Sequence, residues 1–358
     1  SFGADGRAKN ISHICVDHHI FKPKALVEAK EVTEFCDSNL STAEVIILGK
    51  ILTCNSHLTS LDLSSNQHVN DSCSDFLTQL KHLKKLDLTN TGIGERTVNI
   101  LTSALTSPSC TITTLEMTNL SNVHVTEACA GLFVNMLKSN TTLTSLRVDW
   151  NIFPLEELCQ LFETNHKALP TTWEYSKDNL RFVEEDAVRL AKALTAFKRL
   201  EYLKLDKFEI HPSKLKAQSH CDFSKQFLTD ADVIIILSIL ADRNSRLELL
   251  DLSDNPDIGM YCGPTIYRLI SVSTGLKTIN LSGCDIREAL VCDIGAWLAT
   301  STLETMYLQG CSRIADKAAL SILKGMQINK SLRILRMDFN QISGNIMAQM
   351  IGLSHPAL

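Results

Sequence analysis

Three groups of residues in this chain have the types that chemistry requires. Cys15, Asp17, His18 and His19 stand together near the start and carry the donor atoms of a metal or acid–base site. Successive side chains on a strand point to opposite faces, so the two adjacent histidines do not converge on one ion. No metal or catalytic role is expected of them. Cys284 and Cys311 are thiols that could act as nucleophiles by type, but both occupy the same place in a recurring pattern, which predicts a structural position. The third group is charged and aromatic: Asp62, Asp87, Glu116, Arg147, Asp149, Trp150, Lys204, Tyr307, Arg336 and Asp338. Its regular spacing suits recognition of a surface rather than bond making, since Arg and aromatic residues are enriched at binding hot spots.

The sequence holds no phosphate loop G-x-x-x-x-G-K-[ST], no G-x-G-x-x-G, no G-x-S-x-G elbow and no H-E-x-x-H. The expectation is a protein that is not an enzyme and uses no cofactor. Lys and Arg number 35 against 40 Asp and Glu, a net charge of −5, so a nucleic-acid backbone is not the expected partner. The densest apolar stretch, Val233 to Leu240, is far too short for a membrane span. The 12 cysteines include no C-x-x-C pair, and most sit in apolar stretches. They read as reduced core thiols in a cytoplasmic, reducing compartment, with delivery into a host cell without a classical signal peptide as the alternative route there. Ser1 to Asn10 is polar and lacks the apolar centre of a signal peptide. The missing initiator Met reads as a processed or cloned piece.

The elements that must position these residues announce themselves as a repeat. The pattern L-x-x-L-x-L-x-x-N or C runs Leu58, Leu61, Leu63, Asn66, and again Leu247, Leu250, Leu252, Asn255. Copies follow at Leu276 to Cys284, Leu303 to Cys311 and Leu332 to Asn340, with one from Leu143 to Asn151. Copies at Leu83 and Ile112 change the ninth residue, Leu200 starts a recognisable one, and weak ones start at Ile11 (Ile14, Val16) and Thr172 (Tyr175, Leu180). The alternating L-x-L piece predicts a short half-buried strand. The Asn or Cys turns the chain and pairs backbone groups inside the turn. Residues 126–138 and 316–328 show helical spacing of apolar residues, with Thr126 and Asp316 as candidate N-caps. One such unit cannot bury its apolar face alone, so units must stack.

This pattern resembles the leucine-rich repeat family. Its 27–29-residue length, with Asn or Cys ninth, is similar to the ribonuclease-inhibitor-like subclass. The resemblance implies an α/β solenoid, a horseshoe with a parallel inner sheet and outer helices, across residues 1–358 in about eleven repeats. Two spacings are long, 47 residues each, and they recur at an offset of 189: Val16-Asp17 matches Leu205-Asp206, and Arg147 to Asn151 matches Arg336 to Asn340. The chain therefore reads as a single solenoid built by tandem duplication, in homologous blocks of about 11–199 and 200–358. The extra residues of the long repeats, 17–38 and 206–226, read as a loop plus an additional helical turn, either a surface excursion or a projecting contact loop.

In such an array the variable strand positions line the concave face. One column runs Cys15, Asp62, Asp87, Glu116, Arg147, Ser176, Lys204, Asp251, Asn280, Tyr307, Arg336, and the next includes Asp149 and Asp338. Trp173, Tyr175 and Tyr202 extend the aromatic group near Lys204, and Phe339 that near Arg336. Solubility alone would make such positions polar. It does not explain Trp150 and Phe339, which either contact a partner or tuck under the following turn.

The function expected is a non-enzymatic protein–protein interaction scaffold, a monomer binding a partner protein on its concave face and flanking loops. The resemblance implies the same, with a host-directed bacterial effector among its contexts. The resemblance also allows a GTPase-activating protein for a small GTPase, or the sensor fragment of a larger leucine-rich repeat receptor.

Overall fold

The computed structural model describes residues 12–33, 35–77, 79–120, 129–149, 153–174, 184–205, 208–215, 217–244 and 246–354. The chain divides into two compact units, Ser1–Pro170 and Thr171–Leu358. The first opens with an antiparallel hairpin of β1 (Ile14–Val16) and β2 (His19–Phe21), followed by the short helix α1 (Pro23–Glu28). Five parallel strands then pair in sequence order: β3 (Glu31–Val32), β4 (Ser60–Asp62), β5 (Lys85–Asp87), β6 (Thr114–Met117) and β7 (Ser145–Val148). Helices return the chain to the next strand: α2 (Thr42–Leu52), α3 (Ser74–Leu77), α4 (Glu95–Leu105), α5 (Ala130–Ser139) and, after β7, α6 (Leu155–Thr164).

The second unit begins with β8 (Thr172–Glu174), helix α7 (Glu184–Ala196) and β9 (Tyr202–Lys204), which pairs parallel to β8 and antiparallel to β10 (Glu209–Ile210). After α8 (Pro212–Leu215) comes another five-stranded parallel sheet: β11 (His220–Asp222), β12 (Leu249–Asp251), β13 (Thr278–Asn280), β14 (Thr305–Tyr307) and β15 (Ile334–Arg336). Its helices are α9 (Asp230–Arg243), α10 (Gly263–Val272), α11 (Glu288–Thr300), α12 (Asp316–Ile328) and α13 (Gly344–Ser354).

The three-residue ladder strands β4, β5 and β11 to β14 bury their middle residue, and β6 and β7 bury alternate residues. Leu61, Leu86, Leu115 and Leu146 are buried in one sheet, and Leu250, Ile279 and Met306 in the other. Full burial of such a side chain is worth about 2 kcal/mol, and each depends on the neighbouring repeat to complete it. The ninth residue stitches repeats together. Asn66 Nδ2 donates to the Phe35 and Leu63 carbonyls, and its Oδ1 accepts from the Leu40 N–H. Asn255 does the same with Phe223, Leu252 and Leu228. Cys284 and Cys311 keep only the donor half, their thiols reaching the Leu252 and Leu281 carbonyls at 3.3 and 3.2 Å.

Several expectations need correction. Ile14–Val16 is not a ladder strand; it closes back on His19–Phe21, because Asp17 turns the chain in the left-handed region (φ 47°). The long repeats hold the expected extra helical turn, as α1 and α8, and more besides. Each contains a return strand, a short helix and a further ladder strand, β3 or β11, whose core residues are Val32 and Phe35 or Cys221 and Phe223. Near 172 the strand residue facing the core is Trp173, edge-on to Phe197 at 6.5 Å, so Trp173 is core and not part of an exposed aromatic group. Glu174 therefore sits beside Lys204 in register. Cys15 pairs with Ile20 in the hairpin and leaves the column altogether. Asp316 does not cap its own helix: the N-cap is Ala315, and Asp316 Oδ1 accepts from Ser343 N–H of the next repeat. Thr126, Trp150, Tyr175, Ser176 and Leu180 lie outside the described residues.

Helices α11 and α12 approach closely at two glycines. A Cβ on Gly325 would meet the Gly295 carbonyl, and one on Gly295 the Ser321 carbonyl. Both obstacles are backbone and cannot swing aside. G325A is expected to lose about 2 kcal/mol by overpacking, although Ala is the better helix former. Urea unfolding of the variant checks it; an unchanged midpoint would mean that the helices part freely.

Candidate functional site

The candidate site is the outward face of the ladder. Because strand side chains alternate, burying Leu61, Leu86, Leu115 and Leu146 turns Asp62, Asp87, Glu116 and Arg147 to the opposite side. The register pairs Asp62 with Asp87, Asp87 with Glu116 and Glu116 with Arg147. Neighbouring strands lie about 4.8 Å apart, so three carboxylates stand in one row with an arginine at its end. Like charges directly opposite each other destabilise a sheet. The cost is reduced locally: Asp62 Oδ1 accepts from Ser64 N–H at 2.9 Å and its hydroxyl at 2.6 Å, and Asp87 Oδ1 from Thr89 N–H at 2.8 Å. Arg147 reaches Glu116 at 3.3 Å, but its side chain is 69% exposed, so the pair is weak. Asp149, in the next column, accepts from the Asn119 N–H at 2.7 Å.

The second sheet repeats the layout with softer chemistry: Asp222, Asp251, Asn280, Tyr307 and Arg336 stand in register. Asp251 accepts from Ser253 and from Asn280 Nδ2 at 2.9 Å. Asp338 accepts from Gln309 Nε2 at 2.9 Å. Lys204 is exposed between Glu174 and Glu209, on the small sheet of the same unit. Tyr202 beside it is half-buried, its hydroxyl on Glu209 at 2.9 Å. Burial and the adjacent Glu209 carboxylate both raise the phenol's pKa.

Asp222 was missed in the sequence, although a signal for it exists. Asp62-Leu-Ser64, Asp251-Leu-Ser253 and Asp222-Phe-Ser224 share one spacing, in which the carboxylate accepts from the serine N–H two residues on. Hydrogen bonds from the Ser224 N–H and hydroxyl, with Lys225 nearby, hold the Asp222 carboxyl below its ordinary pKa against burial.

Phe339 is 89% exposed and does not tuck under its turn. It also sits at φ 62°, the left-handed position that Gly283 and Gly310 fill in the two preceding repeats. That conformation costs a side-chain-bearing residue about 1–2 kcal/mol.

The remaining candidates resolve as structure. His18 and His19 donate backbone N–H groups to Glu44 Oε1 at 3.1 Å, and His19 Nδ1 lies 2.8 Å from the same oxygen. Among the described residues no group of three or more His, Cys, Asp or Glu is placed to hold a metal ion. Burial pushes the Cys284 thiol up to about 12 and that of Cys311 to about 11, so both remain protonated donors. Among the described residues no helix is long and apolar enough to cross a membrane.

Residues 54–72, which span strand β4 and the stitching Asn66, match the family model described as a leucine-rich repeat. That repeat is of the leucine-rich type. A parallel ladder with one strand per repeat, followed by a left-handed turn, recurs in both units. No curated protein matches the chain. Solved structures that match include an internalin from Listeria monocytogenes, 13% identical over 93% of this chain and 87% of that one, with a TM-score of 0.32. Another is the Rad7 and Elc1 complex of yeast, 17% identical over 94% of this chain and 77% of that one, also with a TM-score of 0.32.

Proposed function

We propose that this chain is a non-enzymatic protein-interaction scaffold that binds a partner protein on the outward face of its ladders and the loops flanking them. The observation that carries the reading is the in-register row Asp62, Asp87, Glu116 and Arg147. Three aligned carboxylates work against the sheet that holds them, and a basic partner surface would relieve them and gain association rate. The graded row from Asp222 to Arg336 supports the same use of the second sheet.

The triple charge reversal D62K/D87K/E116K is the test. Affinity capture from native cytosol with the unaltered protein should recover a partner whose yield falls at least tenfold with the variant and falls with added salt. Undiminished recovery on a folded variant would reject this surface.

We also infer that the chain arose by tandem duplication. Strands β3 and β11, the paired hairpins, and helices α1 and α8 recur at an offset of 189 residues, as do Asn140 and Asn329, which clamp equivalent turns.

A further inference from the structure

The first unit carries a second charged row, at the starts of its ladder strands. Lys81, His82, Lys84 and Lys85 stand close together in the chain, and all four are exposed. None of their side chains has an ion-pair or hydrogen-bond partner among the described residues. The ladder sets them beside the neighbouring repeats. The Lys30 carbonyl accepts from the Thr59 and Ser60 N–H groups, the Thr59 carbonyl from Lys84 and Lys85, and the Lys84 carbonyl from Thr113 and Thr114. Lys30, Thr59, Lys84 and Thr113 therefore stand side by side on successive repeats. The threonines do not answer the lysines, because their hydroxyls donate to the Lys30 and Lys84 carbonyls at 3.1 and 3.2 Å. In the second unit the same row runs Glu248, Lys277, Glu304, with alternating sign. Opposite charges across neighbouring strands stabilise a sheet, so the fold does not require an all-basic row at this place. Lys85 precedes Asp87 by two residues on β5, on the same face and about 7 Å away along the strand. The outward face of the first unit is thus basic at the strand starts and acidic further along the strands.

We propose that the Lys81 to Lys85 rim takes an acidic segment of the partner protein whose basic surface meets Asp62, Asp87 and Glu116; the inference rests on the ladder-face reading for the occupant being a protein. Charge complementarity selects that occupant. The basic patch is short, because Thr113 and Thr144 continue the row without charge. A lipid surface or a nucleic-acid backbone is anionic over a wider area, and it would press its charge on the three carboxylates beside the patch. A protein can set the two signs side by side. The paired rows then fix how the partner lies, with its acidic segment over Lys84 and Lys85 and its basic surface over Asp87. A partner turned end for end would set like charges against both rows.

The test uses the full chain and two capped, fluorescein-labelled peptides, Glu-Glu-Ser-Glu-Glu-Ser and the same with Gln for each Glu. At low salt the Glu peptide should bind at least about tenfold more tightly than the Gln peptide, and about 1 M salt should erase the difference. K81E/K84E/K85E should weaken binding of the Glu peptide at least about tenfold. The charge-matched variant K192E/K214E/K324E, altered on helices of the second unit, should keep the affinity of the unaltered protein. All six lysines are exposed, so both variants keep the fold. No binding of the Glu peptide at millimolar concentration, equal affinity for both peptides, an equal loss in the two lysine variants, or tighter binding to phosphatidylserine vesicles than to the Glu peptide would each overturn the proposal. D62K/D87K/E116K should bind the Glu peptide at least as tightly as the unaltered protein, because it removes the neighbouring carboxylates, and this keeps failure here distinct from failure of the ladder-face reading.

Discussion

Replacing Glu44 with Gln is expected to cost about 3 kcal/mol at neutral pH and almost nothing at pH 2. Glu44 is fully buried at the start of α2, where Ser41 and Glu44 form a reciprocal cap. Its Oε2 accepts from the Ser41 N–H at 2.7 Å, and its Oε1 gathers the His18 and His19 N–H groups and the His19 ring. Burial by itself would raise the pKa, but these donors, led by the Ser41 N–H, outweigh it and bring the carboxyl from 4.5 down to about 2. The folded value lies below the unfolded one, so the stabilisation is present above pH 4.5 and is lost as pH falls towards 2. A shift of that size corresponds to about 3 kcal/mol at 1.36 kcal/mol per unit. Gln offers one acceptor oxygen and turns an NH2 group towards donors, so it forfeits this term. Urea unfolding of both proteins between pH 2 and 7 should give curves that converge at the acid end. A gap that stays constant across the range would mean that the charge on Glu44 is not what holds the first hairpin to α2.

That hairpin also shows where the sequence was readable and where it was not. Wherever Leu or Ile fills the framework, as at Leu58 to Leu63 or Leu276 to Leu281, the strand, its register and its ninth-position stitch follow from spacing alone. The row from Asp62 to Arg147 was legible for the same reason, since period-two alternation fixes which side chains face out. The pattern was lost where the framework changed chemistry. Cys221 and Phe223 replace two leucines, and between Val32 and Phe35 the spacing is one residue longer, so β3 and β11 were hidden inside apparent insertions. Trp173 misled in the opposite direction: an aromatic among polar neighbours suggested a contact residue, whereas it fills the core against Phe197. Glu44 gave no signal as a hub, because its partners arrive from a hairpin more than 20 residues upstream.

Arg243→Met is expected to destabilise the second unit by about 3 kcal/mol, a fall in Tm of about 10 °C for a unit of this size. Arg243 ends α9, and its side chain is only 6% exposed. Its guanidinium donates to the Phe197 carbonyl at 2.7 Å, to Leu200 at 3.2 Å and to Lys198 at 3.4 Å, capping the chain as it leaves α7. Those carbonyls have passed the end of the helix, and a charged fork is the natural partner for a helix C-terminus. Burial lowers the guanidinium's pKa and Asp242 opposes the shift, so the group stays charged. Two terms limit the gain: the buried Nε–H has no hydrogen-bond partner, and Asp242 stands off at 3.8 Å. Met keeps the length and apolar stem of the side chain, so the loss it reports is that of the fork. Arg243→Lys retains the charge but reaches one carbonyl at a time, and it should fall between the two. Thermal unfolding followed by circular dichroism orders the three proteins. If Met and Lys lose equally, the charge contributes nothing and the planar fork alone closes α7 against α9; if neither loses more than about 0.5 kcal/mol, water serves those carbonyls as well as Arg243 does.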